Sequence, residues 1–74
     1  MSALEEIAQA IEYAKNNSSG VERKIYENMS NYVQTNNEHY MNMTQKYYEE
    51  ADNEARRRAK QLYEMMAEHY YRNK

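Results

Sequence analysis

NNEHYMNMTQKYYEEADNEARRRAKQLYEMMAEHYYR, residues 36–72, contains neither proline nor glycine. Nothing in it is sterically forced out of a helix. With about 100° between successive residues, Tyr40, Thr44, Tyr47, Tyr48, Ala51, Ala55, Ala59, Leu62, Met65, Met66 and His69 fall in one band. Glu49, Asn53, Arg56, Lys60, Glu64 and Glu68 fall on the other side. Because the band keeps its phase from end to end, the pattern predicts a single long helix over 36–72. At 1.5 Å per residue it would be on the order of 55 Å long. An average helix has only roughly 10–14 residues.

Two shorter helices are expected before it. Over 3–16, Leu4, Ile7, Ile11 and Ala14 form a narrow stripe at helical spacing. Over 21–34, Val21, Ile25, Met29 and Tyr32 share a side. The clearest interruption is Asn16-Asn17-Ser18-Ser19-Gly20, which holds the only glycine of the chain. A weaker one lies at Thr35-Asn36-Asn37. The second stripe is rotated by roughly 90° from the third. A break near Thr35 repairs that mismatch, and is preferred to one very long helix wrapped around a partner.

Each expected helix opens on an S/T-x-x-E box: Ser2-Ala3-Leu4-Glu5, Ser19-Gly20-Val21-Glu22 and Thr35-Asn36-Asn37-Glu38. In such a box the hydroxyl accepts from a backbone N–H three residues on, and the glutamate reaches back.

Composition argues that this shape is short of core. Tyr supplies 9 of the 74 residues, whereas the aliphatic residues are only Leu4, Ile7, Ile11, Val21, Ile25, Val33 and Leu62. That lies well under the roughly 20% that ordinarily accompanies a folded interior. Disorder would also need high net charge and few aromatics, and the net charge is −2. What the chain buries must be tyrosine rings and methionine, groups suited to partly wet contacts. With no cysteine to form a disulfide, a second copy is the simplest remedy for so small a domain. The expected architecture is all-α: one domain, 1–74, with two short helices packed along one long C-terminal helix and completed by dimerisation.

The candidate interface is the band of the long helix: Tyr40, Tyr47, Tyr48, Ala51, Ala55, Arg58, Ala59, Leu62, Met65, Met66 and His69. Ala51, Ala55 and Ala59 offer a smooth strip for close helix approach, or merely favour helix. Arg58 alone of the Arg56-Arg57-Arg58 run points towards the band. It is expected to reach a carboxylate across an interface, or to lie over a tyrosine ring. Its neighbours are expected to pair locally, as Asp52–Arg56, Glu54–Arg57 and Glu54–Arg58.

Other chemistries find little support. Around His69, the helical ligand offsets hold Met65, Met66, Arg72 and Asn73, and around His39 they hold Thr35, Asn36, Asn42 and Met43. Neither completes a metal site. Glu49-Glu50, and Glu64 with Glu68, lie on the polar side, where solvent removes the cause of a catalytic pKa shift. One glycine rules against a phosphate cradle. No catalytic residue, metal or cofactor is expected. Tyr47-Tyr48 is followed by Glu49-Glu50, which opposes nucleic-acid stacking. In each tyrosine pair one ring is expected to face the packing stripe and the other to cover its edge. No apolar run approaches the roughly 18 residues of a membrane span. The start Met1-Ser2-Ala3-Leu4-Glu5-Glu6 does not read as a signal peptide, so a cytoplasmic setting is expected.

The functional expectation is a non-enzymatic, self-associating helical protein. The alternative is a small regulator or designed binder presenting a Tyr/Met face to a different protein, and a weak nucleic-acid binder comes third. The regular caps and absence of Pro and Cys suit a man-made chain. The Tyr, Asn and Met content suits a natural one.

Overall fold

Asn17 turns the chain first. Its side-chain amide donates to the Tyr13 carbonyl at 2.8 Å and its backbone N–H to Ala14 at 3.2 Å. Ser18 covers the Lys15 carbonyl with its hydroxyl at 3.2 Å. These bonds satisfy carbonyls that a helix end leaves bare, and they end α1, Ala3–Asn16, in a computed structural model that describes residues 3–72. The box proposed at Ser2 begins outside the described residues.

α2, Gly20–Thr35, opens on Gly20 with φ 62°, a left-handed conformation that suits glycine. Ser19 is its N-cap residue, but its hydroxyl makes no cap bond. The proposed box fails there because Glu22 does not reach back: its carboxylate is taken by Arg58 and Tyr26. α2 ends at Asn36, left-handed at φ 57°, whose N–H reaches the Tyr32 carbonyl at 2.7 Å. The break near Thr35 is therefore real, with a different cap from the one expected. The Thr35 hydroxyl turns back to the Asn31 carbonyl at 2.8 Å. Asn37 caps α3, Glu38–Glu50, by accepting from the His39 N–H at 2.9 Å.

The single helix over 36–72 is not formed. Ala51 is extended, at φ −70° and ψ 154°. Asp52 then accepts from the Ala55 N–H at 2.8 Å and starts α4, Asn53–Arg72. A carboxylate cap stabilises a helix start by about 1 kcal/mol, and Glu54 in the first turn adds favourable charge. The larger gain is in packing. Turning here lets the apolar band fold back on its own chain, where a straight helix would leave it in water. The described residues thus form four α-helices and no strand, where three helices were expected.

α2 is the central element and packs on each of the other helices, while α1 and α3 meet only through α2 and α4. Near their starts α2 and α4 are joined by Glu22 and Arg58, and near their ends by Tyr32 and His69. They therefore run in the same sense. Glu38 with Tyr70, and Tyr48 with Tyr63, make α3 run against α4.

The interior matches the composition. Ile11, Ile25, Met29, Met66 and Thr44 are the largest side chains fully buried. Each isoleucine contributes roughly 1.5–3 kcal/mol by leaving water. Tyr26, Tyr32 and Met41 complete the core with Ala51, Ala55 and Ala59. Thr44 satisfies its hydroxyl on the Tyr40 carbonyl at 2.7 Å. Ser30 donates to Glu12 at 2.8 Å, and Lys15 holds the same carboxylate at 2.9 Å. Those two donors lower the Glu12 pKa, the lysine more than the serine. Among the described residues no buried side-chain nitrogen or oxygen lacks a hydrogen-bond partner. The radius of gyration is 11.1 Å, against about 11 Å for a compact chain of this length. No helix among the described residues is long and apolar enough to cross a membrane.

Candidate interaction surface

The residues expected at an interface separate into an inner and an outer set. Ala51, Ala55, Ala59 and Met66 are buried within one chain. The alanine strip is thus covered by the molecule's own helices. Tyr40, Tyr47, Tyr48, Leu62, Met65 and His69 are half-buried, and Arg58 is exposed.

Arg58 reaches a carboxylate of its own chain, from α4 to Glu22 of α2. Its Nε donates to the Glu22 Oε1 and Oε2 at 3.0 and 3.1 Å, and its second amino group donates to Oε1 at 2.8 Å. The Tyr26 hydroxyl donates to the same carboxylate at 2.9 Å. Arg58 holds the Glu22 pKa below the usual carboxylate range, and Tyr26 adds to the effect. Burial, and then the Glu22 bond, push the Tyr26 hydroxyl strongly upward. Glu22 was legible only as part of a capping box, so sequence reasoning missed this role.

The other arginines pair within α4. Arg57 binds Glu54, as expected. Arg56 binds Asn53 at 2.7 Å in place of Asp52, whose carboxylate is capping the helix. Arg58 forgoes Glu54 for Glu22. The three side chains thus serve separate partners.

The tyrosine pairs divide roles. Tyr48 stacks on Tyr63, with centroids 4.1 Å apart and planes within 3°, while Tyr47 lies under the Lys46 ammonium at 5.8 Å. Tyr70 meets Tyr32 edge-on at 6.0 Å and donates to Glu38, while Tyr71 is exposed. Neither Tyr63 nor Glu38 was singled out in the sequence as a contact.

His69 sets its ring edge to Tyr32 at 6.2 Å. It also lines a hollow of about 250 Å³ between α1 and α4, with Leu4, Ile7, Met65, Glu68 and Arg72. A second hollow of about 360 Å³ runs along α4, between Arg57, Lys60, Gln61, Glu64, Met65 and Glu68. Met65 and Glu68 line both, so the two hollows adjoin. Leu4, Ile7 and Met65 are the apolar residues of their lining, and the charged residues there carry both signs. Glu64 and Glu68 are exposed. Among the described residues no group of three or more His, Cys, Asp or Glu could hold a metal ion.

Comparison with known protein families, with curated proteins and with solved structures finds no match.

Proposed function

We propose that the chain is a non-enzymatic helical protein that works by self-association, as a reversible homodimer joined along the α1–α4 side. The observation that carries this reading is the pair of adjoining hollows that share Met65 and Glu68. Leu4, Ile7 and Met65 supply apolar surface beside charged residues, the mixture that protein contacts use.

Size sets the strength. α4 has 20 residues, so one of its faces is about 30 Å by 10 Å, or about 300 Å². Stable complexes bury about 800 Å² per partner. Even with the edge of α1 added, the contact is small, and the dimer comes apart in the micromolar range. Folding does not wait for it, because a single copy already encloses Ile11, Ile25, Met29 and Met66.

Sedimentation across a concentration series tests the reading. The mass is expected to climb from 9.0 kDa towards twice that value, with a thermal midpoint that rises alongside. A single-chain mass up to hundreds of micromolar overturns it. That result favours a module that binds a different protein, for which Tyr13 and Tyr71, 73% and 69% exposed, are ready anchors.

A further inference from the structure

The outer face of α4 carries its charges in a mirrored order. With about 100° per residue, Glu54, Arg57, Lys60, Glu64, Glu68 and Arg72 fall on one side, opposite the buried Ala55, Ala59 and Met66. From the N-terminal end the order is acid, base, base, acid, acid, base, so positions equally far from the middle carry opposite signs. Glu54 and Arg72, Arg57 and Glu68, and Lys60 and Glu64 are each centred close to Leu62.

An isologous contact brings residue i of one copy to residue j of the other, and j to i. If two α4 helices lie antiparallel about a two-fold axis near Leu62, each of those pairs joins opposite charges, and each is made twice. If they lie parallel, every charge meets its own kind. From this order we infer that the partner on this face is a second copy of the chain, with its α4 antiparallel. The inference rests on the self-association reading above and adds its orientation and register.

The geometry suits that occupant. The face lies opposite the inward-packed Ala55, Ala59 and Met66, so it is turned away from the chain's own core. Near the axis, Gln61 and Met65 line the hollow of about 360 Å³. Arg57 and Arg72 already hold Glu54 and Glu68 within the chain. The central pair, Lys60 and Glu64, is therefore the one to test, since both side chains are exposed.

The experiment compares the dimer constants of wild type, Lys60→Glu, Glu64→Lys and the double exchange at low salt. Circular dichroism confirms that each variant is folded. Either single reversal is expected to weaken association by about tenfold or more, since opposite charges become like charges at two symmetric points. The double exchange is expected to return to within about threefold of wild type, and an equimolar mixture of the single variants to associate. If wild type dimerises and both single variants match it, the antiparallel α4 contact is overturned while self-association stands. If wild type stays a single chain, both are overturned.

Discussion

Arg58 of α4 binds Glu22 of α2 through a forked contact, with a closest approach of 2.8 Å between residues 36 apart in the chain. The glutamate side chain is 12% exposed and the arginine side chain 55%. A covered carboxylate, held by a cation and a phenol, fixes the register between two helices that run in the same sense.

Acid should loosen this contact. Arg58 lowers the Glu22 pKa in the folded chain relative to the unfolded one. The group therefore contributes stability that is complete above the unfolded value, about 4.3. That stability is lost as pH falls through the lower folded value. Glu12, lowered by Lys15 and Ser30, acts in the same direction. Glu22→Gln is expected to destabilise the protein at pH 7 by about 1 kcal/mol or less, because its partner is half in solvent. It should also flatten the loss of stability below about pH 4.3. Urea melts of both proteins between pH 7 and pH 3 check this. An unchanged acid slope would show that Glu22 is not a titrating element of the fold.

Alkali acts through the phenols. Burial raises the pKa of Tyr26, Tyr32 and Tyr63; Glu22 reinforces it at Tyr26, and Glu38 at Tyr32. A raised folded pKa favours the neutral phenol in the native state. Its contribution is therefore full below about pH 10 and falls away as pH rises beyond that value. Absorbance titration beside that of the urea-unfolded chain checks this. The buried rings should ionise only in a steeper step that coincides with loss of helicity. One smooth titration of all the tyrosines, with helicity retained, would contradict the burial of Tyr26 and Tyr32.

Asp52 is the residue on which the reversal between α3 and α4 turns. Asp52→Ala removes the acceptor for the Ala55 N–H and is expected to cost about 1 kcal/mol. Asp52→Asn or Asp52→Ser should retain most of it. Chemical denaturation ranks the variants; equal stability for alanine and asparagine would mean that the cap does not hold the turn.

That same turn marks where the sequence ceases to be legible. The break at Thr35–Asn37 could be read because Thr, Asn and Asn cluster there and the apolar stripe changes phase. At Ala51–Asp52 the stripe does not change phase: Ala51, Ala55 and Ala59 point inward on both sides of the reversal. A helical wheel records which side of a helix is apolar and is blind to a helix that doubles back with that side still inward. The one local sign was an aspartate placed to cap, followed by Asn53 and Glu54. Likewise, the inward phase of Arg58 could be read, and its need for a carboxylate followed. The choice of Glu22 over Glu54 could not be read, because it depends on how two distant helices meet.

Gly20 separates backbone strain from packing. A methyl group there would meet nothing within 4 Å, yet φ is 62°. Gly20→Ala should therefore destabilise by about 1 kcal/mol through the left-handed backbone alone. Gly20→Asn should lose less, because asparagine tolerates that region. Thermal melts of the two variants decide it. If alanine is neutral, the chain enters α2 by a different path.

Ala59 tests where the alanine strip lies. Its side chain is fully buried within one chain, in a core that closes around it. Ala59→Leu must push apart packed helices, and overpacking of that kind costs roughly 1–3 kcal/mol. The loss should appear in the stability of the single chain and be the same at low and high protein concentration. Met65→Ser, at the outer hollows, should leave the dilute melt nearly unchanged and weaken association instead. Melting each variant at two concentrations tells them apart. If Ala59→Leu leaves the dilute chain as stable as wild type and abolishes only the concentration-dependent rise, the strip faces a second copy and α4 is turned the other way.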